Sequence, residues 1–183
     1  MTRRQAMKLL LLGTAAVAGA PVLPRRTEAA VDLRYLCSGK LDFFNAHTNE
    51  YLSIRYLNRE GRFDGKALVR LDHLFRCSYD DAPHPIAPDL FLLLDAVRTK
   101  LGSRDRPYIL LSGYRSPSYN EMLRLEGGGV ARNSYHLRGM AADVRMEGVD
   151  LVDIERTALL LSMGGVGCYP EFVHIDVGPA RQW

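Results

Sequence analysis

Residues 134–146 read Ser134-Tyr135-His136-Leu137-Arg138-Gly139-Met140-Ala141-Ala142-Asp143-Val144-Arg145-Met146, a polar segment, a glycine and then a strand-like run. Ala141 to Met146 suits a strand, and Gly139 lets the chain turn after His136 so that Asp143 comes back on that strand. His136 offers a neutral imidazole nitrogen and Asp143 a carboxylate oxygen, both of which zinc accepts at about 2.0 to 2.2 Å. For an isolated pair, a simple hydrogen bond between a loop histidine and a strand carboxylate is the commoner outcome.

Outward from this segment the elements alternate irregularly. Towards the C-terminus, Asp150 to Met163 reads as a capped helix, Gly164, Gly165 and Gly167 break the chain, and Phe172 to Val177 forms a final strand. Towards the N-terminus, Ser116-Pro117 pairs an N-cap with proline at the first helical position, opening a helix that ends near Leu125 before Gly127-Gly128-Gly129. Tyr108 to Ser112 is a short strand. Leu90, Leu93, Leu94, Val97 and Leu101 place a core-facing stripe on a helix from Pro88 to about Leu101, and Leu68, Leu71 and Phe75 mark another over Ala67 to Phe75. Residues 41–57 read as a hairpin whose polar turn carries His47-Thr48-Asn49-Glu50. Mixed elements without regular alternation predict an α+β fold with a small antiparallel central sheet flanked by helices.

The first thirty residues point to an exported protein. Residues 1–30 run from a basic start (Arg3, Arg4, Lys8) through an apolar stretch (Leu9 to Ala20) to small residues at Thr27 to Ala30, the pattern of a cleavable export signal. The apolar stretch is too short for a membrane span, which needs roughly 20 residues, so no stable span is expected after cleavage. Thr2-Arg3-Arg4-Gln5-Ala6-Met7-Lys8 resembles a twin-arginine signal, although Ala6 stands where a bulky apolar residue is usual, and an ordinary secretory signal with two arginines is the competing reading. Residues 1–30 hold five Lys or Arg against one acid, so of the chain's net +3 the remaining residues 31–183 keep about −1. With no Lys/Arg stripe interleaved with aromatics, a nucleic-acid partner is not expected. Residues 31–183 suit one domain with one core, exported to the periplasm or cell envelope. The cysteines Cys37, Cys77 and Cys168 have no CxxC spacing, and Cys37 and Cys77 are available to pair.

Two further stretches carry chemistry. In Glu171-Phe172-Val173-His174-Ile175-Asp176, strand alternation sends His174 and Asp176 to one face and Val173 and Ile175 to the other. His174 would complete a set of three ligands with His136 and Asp143, the number catalytic zinc sites commonly use. In Leu111-Ser112-Gly113-Tyr114-Arg115-Ser116, Arg115 sits at a tight turn, suited to gripping a carboxylate or stabilising charge on an attacked carbonyl; alone, a loop arginine is more often solvated.

Together, Ser112-Gly113-Tyr114-Arg115-Ser116, Ser134-x-His136-x-x-Gly139-x-Ala141-x-Asp143 and Phe172-Val173-His174-Ile175-Asp176 resemble the LAS-type zinc peptidases, the group of D-alanyl-D-alanine carboxypeptidases, murein endopeptidases and the hedgehog signalling domain. His47-Thr48, His84-Pro85-Ile86 and the segment Val173 to Trp183 resemble the murein endopeptidase K-like branch. The resemblance implies an LAS/hedgehog-like fold over residues 31–183 and a zinc site of His136, Asp143 and His174. It also implies that Arg115 holds or polarises the substrate, and that the substrate is a peptide of peptidoglycan, cut within its cross-links. For the general base it leaves two candidates, Glu171, three residues before His174, and Asp176. Protein partners stay unidentified. D,D- or L,D-carboxypeptidase action on the same site, and a zinc-stabilised wall-binding module without turnover, are the competing readings. His47, His73 and His84 have no partner at ligand spacing. Tyr135 and Asn133 are either groove-lining or turn residues, and Trp183 is read as a packing anchor.

Overall fold

The expected hairpin forms from β1 (Lys40–Asn45) and β2 (Glu50–Arg55). Its turn is closed by the Asn45 side chain, which accepts from the His47 and Thr48 N–H groups, and by Asn49 at a φ of 57°, a left-handed conformation asparagine tolerates. Helix α1 (Gly65–Leu74) starts where Asp64 accepts from the Lys66 and Ala67 N–H groups. Helix α2 (Pro88–Lys100) starts on proline, whose missing N–H costs nothing in the first turn. The computed structural model describes residues 32–127 and 130–183; the export signal expected at 1–30, together with Gly128 and Gly129, lies outside them.

After β3 (Tyr108–Ser112), helix α3 (Pro117–Leu125) is capped as expected, Ser116 accepting from the Tyr119 N–H. Strand β4 (Ala141–Met146) and helix α4 (Leu151–Leu161) follow. Asp150 occupies the N-cap of α4, but its side chain makes no capping bond. The chain ends with β5 (Gly165–Cys168), β6 (Val173–Asp176) and β7 (Arg181–Gln182).

The sheet corrects the expected architecture. It is not small and antiparallel but seven-stranded and mixed, in the order β2-β1-β3-β4-β6-β5-β7. β3 lies parallel to β1 and β7 parallel to β5, the other pairings being antiparallel. A parallel pair needs a long crossover, and α1 with α2 supplies it between the hairpin and β3. The glycine-rich stretch expected as a break is itself strand β5, because side chains from neighbouring strands fill the space that Cβ atoms would need there.

One face of the sheet receives the helices. Ala142, Val144 and Met146 of β4 and Val173 and Ile175 of β6 join Phe43, Phe75, Phe91 and Tyr108 in a single core. Phe75 meets Phe43 and Phe91 edge-to-face, at 5.0 and 5.3 Å between ring centres. Strand parity then sends Asp143, His174 and Asp176 to the opposite face. Cys37, Cys77 and Cys168 are free; Cys37 bonds the Leu92 carbonyl and Cys77 the Ser116 hydroxyl, so the two do not pair. No helix among the described residues is long and apolar enough to cross a membrane.

Candidate metal centre

The site is a row across the sheet. Asp143 of β4 stands directly opposite His174 of β6, and Ser112 of β3 opposite Asp143, with the β3 register shifted between Leu110 and Ser112. Directly opposed residues share a face, with Cβ atoms about 4.5–5.5 Å apart. His136 joins from a 3-10 turn, Tyr135–Arg138, whose first N–H groups are capped by Ser134. Gly139 ends that turn at a φ of +62°, with a Cβ there only 2.4 Å from the Pro85 carbonyl. A side chain at 139 would therefore be both strained and obstructed.

Three atoms converge: Nε2 of His136, Oδ1 of Asp143 and Nδ1 of His174, separated by 2.8 to 3.1 Å. The other nitrogen of each ring shows what they carry. Nδ1 of His136 lies 2.6 Å from the Gly113 carbonyl, which can only accept, so that nitrogen bears the proton. Nε2 of His174 lies 3.1 Å from Oδ2 of Asp176 and donates to it in the same way. Both converging nitrogens consequently present lone pairs, towards each other and towards a carboxylate. All three residues are buried, so little solvent surrounds them to relieve the repulsion.

Only a positive charge closes such a set. Tetrahedral bonds of about 2.0 to 2.2 Å would set the three atoms about 3.3 to 3.6 Å apart, a few tenths of an ångström wider than the spacing present. Burial is the largest influence on His174 and pushes its pKa down, but its bonds to Asp143 and Asp176 prevail and the net shift is upward. His136 is pushed down by burial. Burial also pushes Asp143 up, yet His136, His174 and Arg115 outweigh it and hold the carboxyl far below the ordinary range.

Arg115 joins the cluster. Its Nε donates to Ser112 Oγ at 2.8 Å, and Nη2 donates to Oδ2 of Asp143, the oxygen turned away from the histidines. Nη1 has no hydrogen-bond partner among the described residues, and Arg115 lines the pocket over the cluster. That pocket, of about 380 Å³, is walled by Asn133, Tyr135, Tyr169, Phe172 and Trp183. Tyr135 and Asn133 thus line the groove, and Trp183, packed over Gly167 and bonded to Tyr169, also forms part of its wall against His174.

The two candidate bases part company. Asp176 sits behind His174, fully buried, and accepts from His174, Arg181 and the Gly165 and Gly178 N–H groups. Glu171 is exposed and lines a different groove with Leu111, Arg145 and Val149. His47, His73 and His84 lie outside the cluster, which among the described residues is the one group of three placed to hold a metal. Sequence reasoning missed Arg181 and Tyr169. The Asp176-to-Arg181 spacing is a weak signal, since it works only because β7 folds back beside β5.

Residues 34–183 match the family described as peptidoglycan L,D-endopeptidase MepK. Over 178 residues the chain is 41% identical to peptidoglycan L,D-endopeptidase MepK of Escherichia coli (strain K12), covering 96% of this chain and 95% of that one. The protein of the same description from Shigella flexneri matches equally. The solved L-Ala D-Glu endopeptidase ChiX of Serratia marcescens is 17% identical over 57% of this chain and 75% of its own, with a TM-score of 0.35, too distant to add to the fold described above. The family match takes in every strand from β1 to β7 and every helix from α1 to α4, and the chain therefore belongs to the family of peptidoglycan L,D-endopeptidase MepK.

Proposed function

We propose that this chain is a zinc-dependent peptidoglycan endopeptidase that hydrolyses peptide cross-links of the cell wall, at an L,D bond as the names of its relatives describe. The observation that carries the reading is the meeting of three acceptors, His136 Nε2, Asp143 Oδ1 and His174 Nδ1, with the protons of both rings tied up elsewhere. Two imidazoles and one carboxylate are a donor set that suits zinc. When bound, the metal supplies a Lewis acid and lowers the pKa of water to about 7.

The protein's own residues do the rest. Arg115 fixes Asp143 through Oδ2 and offers Nη1 to the oxygen of a scissile carbonyl as charge develops there. Asp176 orients His174. Its lone pairs are occupied by donors, which argues for holding the ring in place over taking a proton in the reaction. Glu171 is exposed and faces another groove, which argues against it as the base. Tyr135, Tyr169, Phe172 and Trp183 give an extended peptide an aromatic wall.

The proposal includes export to the periplasm or cell envelope by residues 1–30, through the twin-arginine route, because the substrate lies outside the cytoplasm. Replacing Arg3 and Arg4 with lysine should block export; unchanged export would point to the general secretory route. For the activity, the protein lacking residues 1–30 is incubated with isolated sacculi, with zinc and after chelation. Zinc-dependent release of muropeptides cut within the cross-link is expected. Loss of terminal residues alone would mark a carboxypeptidase, and binding without release would mark a module without turnover.

A further inference from the structure

One guanidinium stands behind two of the three converging donors. Arg181 grips Asp176 with both terminal nitrogens, Nη1 to Oδ1 at 3.0 Å and Nη2 to Oδ2 at 2.5 Å, and Nη1 also donates to the Pro179 carbonyl. Its Cζ lies 4.7 Å from the ring centre of Tyr135 and 4.8 Å from that of Trp183. Tyr135 precedes His136 in the same 3-10 turn, and the Trp183 ring lies 5.2 Å from that of His174. The backbone beneath is bare to admit this arrangement. A Cβ on Gly165 would stand 2.4 Å from Arg181 Nη1 and 2.6 Å from Asp176 Oδ2.

We propose, resting on the metal-site reading above, that Arg181 is a positioning residue of the centre. It locks Asp176 as the acceptor of the His174 Nε2–H, which keeps Nδ1 turned to the metal, and through Tyr135 it ties the His136 turn to the same clamp. Geometry explains the choice of residue. A planar fork holds both carboxylate oxygens and stacks on aromatic faces, whereas a lysine ammonium can hold the charge but not the orientation. Without Arg181, Oδ1 of Asp176 keeps the Gly165 and Gly178 N–H groups, but Oδ2, the oxygen that accepts from His174, loses its guanidinium partner, and the His174 ring is held less firmly in its tautomer.

The test measures zinc affinity by chelator competition in wild type, Arg181→Gln and Arg181→Lys. Gly165→Ala is a second route, displacing the guanidinium and Asp176 Oδ2 together. Thermal unfolding of the metal-free forms and kcat and KM on muropeptides are measured beside it. Arg181→Gln and Gly165→Ala should weaken zinc binding by about 10- to 100-fold, the scale for groups that orient a ligand histidine. Turnover should fall through kcat with KM within about threefold, the mark of a defect in the reacting centre and not in substrate binding. Arg181→Lys should recover part of both losses. Should Arg181→Gln misfold, Arg181→Lys and Gly165→Ala decide on the same readouts. Wild-type zinc affinity in these variants, or a loss confined to KM, overturns the proposal. A wild-type protein that binds no zinc overturns the metal reading and this one with it.

Discussion

Two buried polar clusters occupy this molecule, and they differ in how donors meet acceptors. Around α2 and β1, Arg98 donates to Asp42 and to the carbonyls of Lys40 and Arg106, while Asp95 accepts from Ser38, Tyr56 and the Gly39 N–H. Every carboxylate there faces a donor, and Arg98 Nε is the one nitrogen left over. Around β4 and β6, the acceptors of His136, Asp143 and His174 face one another. Burial is equal in the two places, so burial alone does not mark a functional site. The unbalanced count of donors does.

The comparison is broken most sharply by removing a ligand. His136→Ala or His174→Ala should reduce zinc from about one per chain to near zero and abolish wall hydrolysis, because two donors do not make a closed catalytic site. Elemental analysis beside the sacculus assay checks this, and full zinc retention would remove that residue from the ligand set. In the closed cluster, Arg98→Met leaves Asp42 buried with Lys40 as its remaining cation. It should cost about 3–5 kcal/mol in denaturant unfolding while zinc affinity of the folded protein stays at wild type. A weakened metal site would show that the two clusters are coupled.

Arg115→Ala tests the link between a ligand and the pocket, with kcat expected to fall by about 100- to 1,000-fold, as for one lost oxyanion donor. A smaller effect follows for acid stability. Burial is the largest influence on Asp42 and raises its pKa, but bonds from Ser53, Arg98 and Lys40 prevail and lower it. A depressed pKa contributes stability above the unfolded value of about 3.9 and loses it as pH falls through the folded value. Asp42→Asn should thus flatten the loss of stability below about pH 4, as followed by urea unfolding at stepped pH. The smallest effect is expected for Glu171→Gln, within about twofold of wild-type turnover, as for a surface substitution. A large loss with zinc intact would return Glu171 to the role of base and require β6 to be entered differently from the arrangement seen here.

Much of this was legible in the chain. Pro88, Ser116-Pro117 and the leucine stripe of α2 are local signals, and the helices start where they point. His136, Asp143 and His174 were legible because a glycine turn and the twofold alternation of a strand are rules of neighbouring residues. The strand that runs through Gly165 and Gly167 was not, since glycine read locally is a breaker, while here Gly165 makes room for Arg181 and Gly167 for Trp183, each arriving from 16 residues away. The parallel pairings were hidden for a related reason, as β1 meets β3 only after two helices have carried the chain across.

The sequence by itself determined which residue types are available to a metal and which strand face each one takes, because those follow from side-chain chemistry and local periodicity. Tertiary structure alone decided what the remaining polar residues do. Parity set Asp176 beside His174 and left its role open, and the return of β7 along β5 surrounded that carboxylate with donors and made it an orienting group. Glu171 lies in the bend that joins β5 to β6, outside the alternation of the strand, and that bend turns it to a different groove. The physical reason is reach: a hydrogen bond acts over about 3 Å, so the role of a carboxylate is set by whichever segments the fold brings that close.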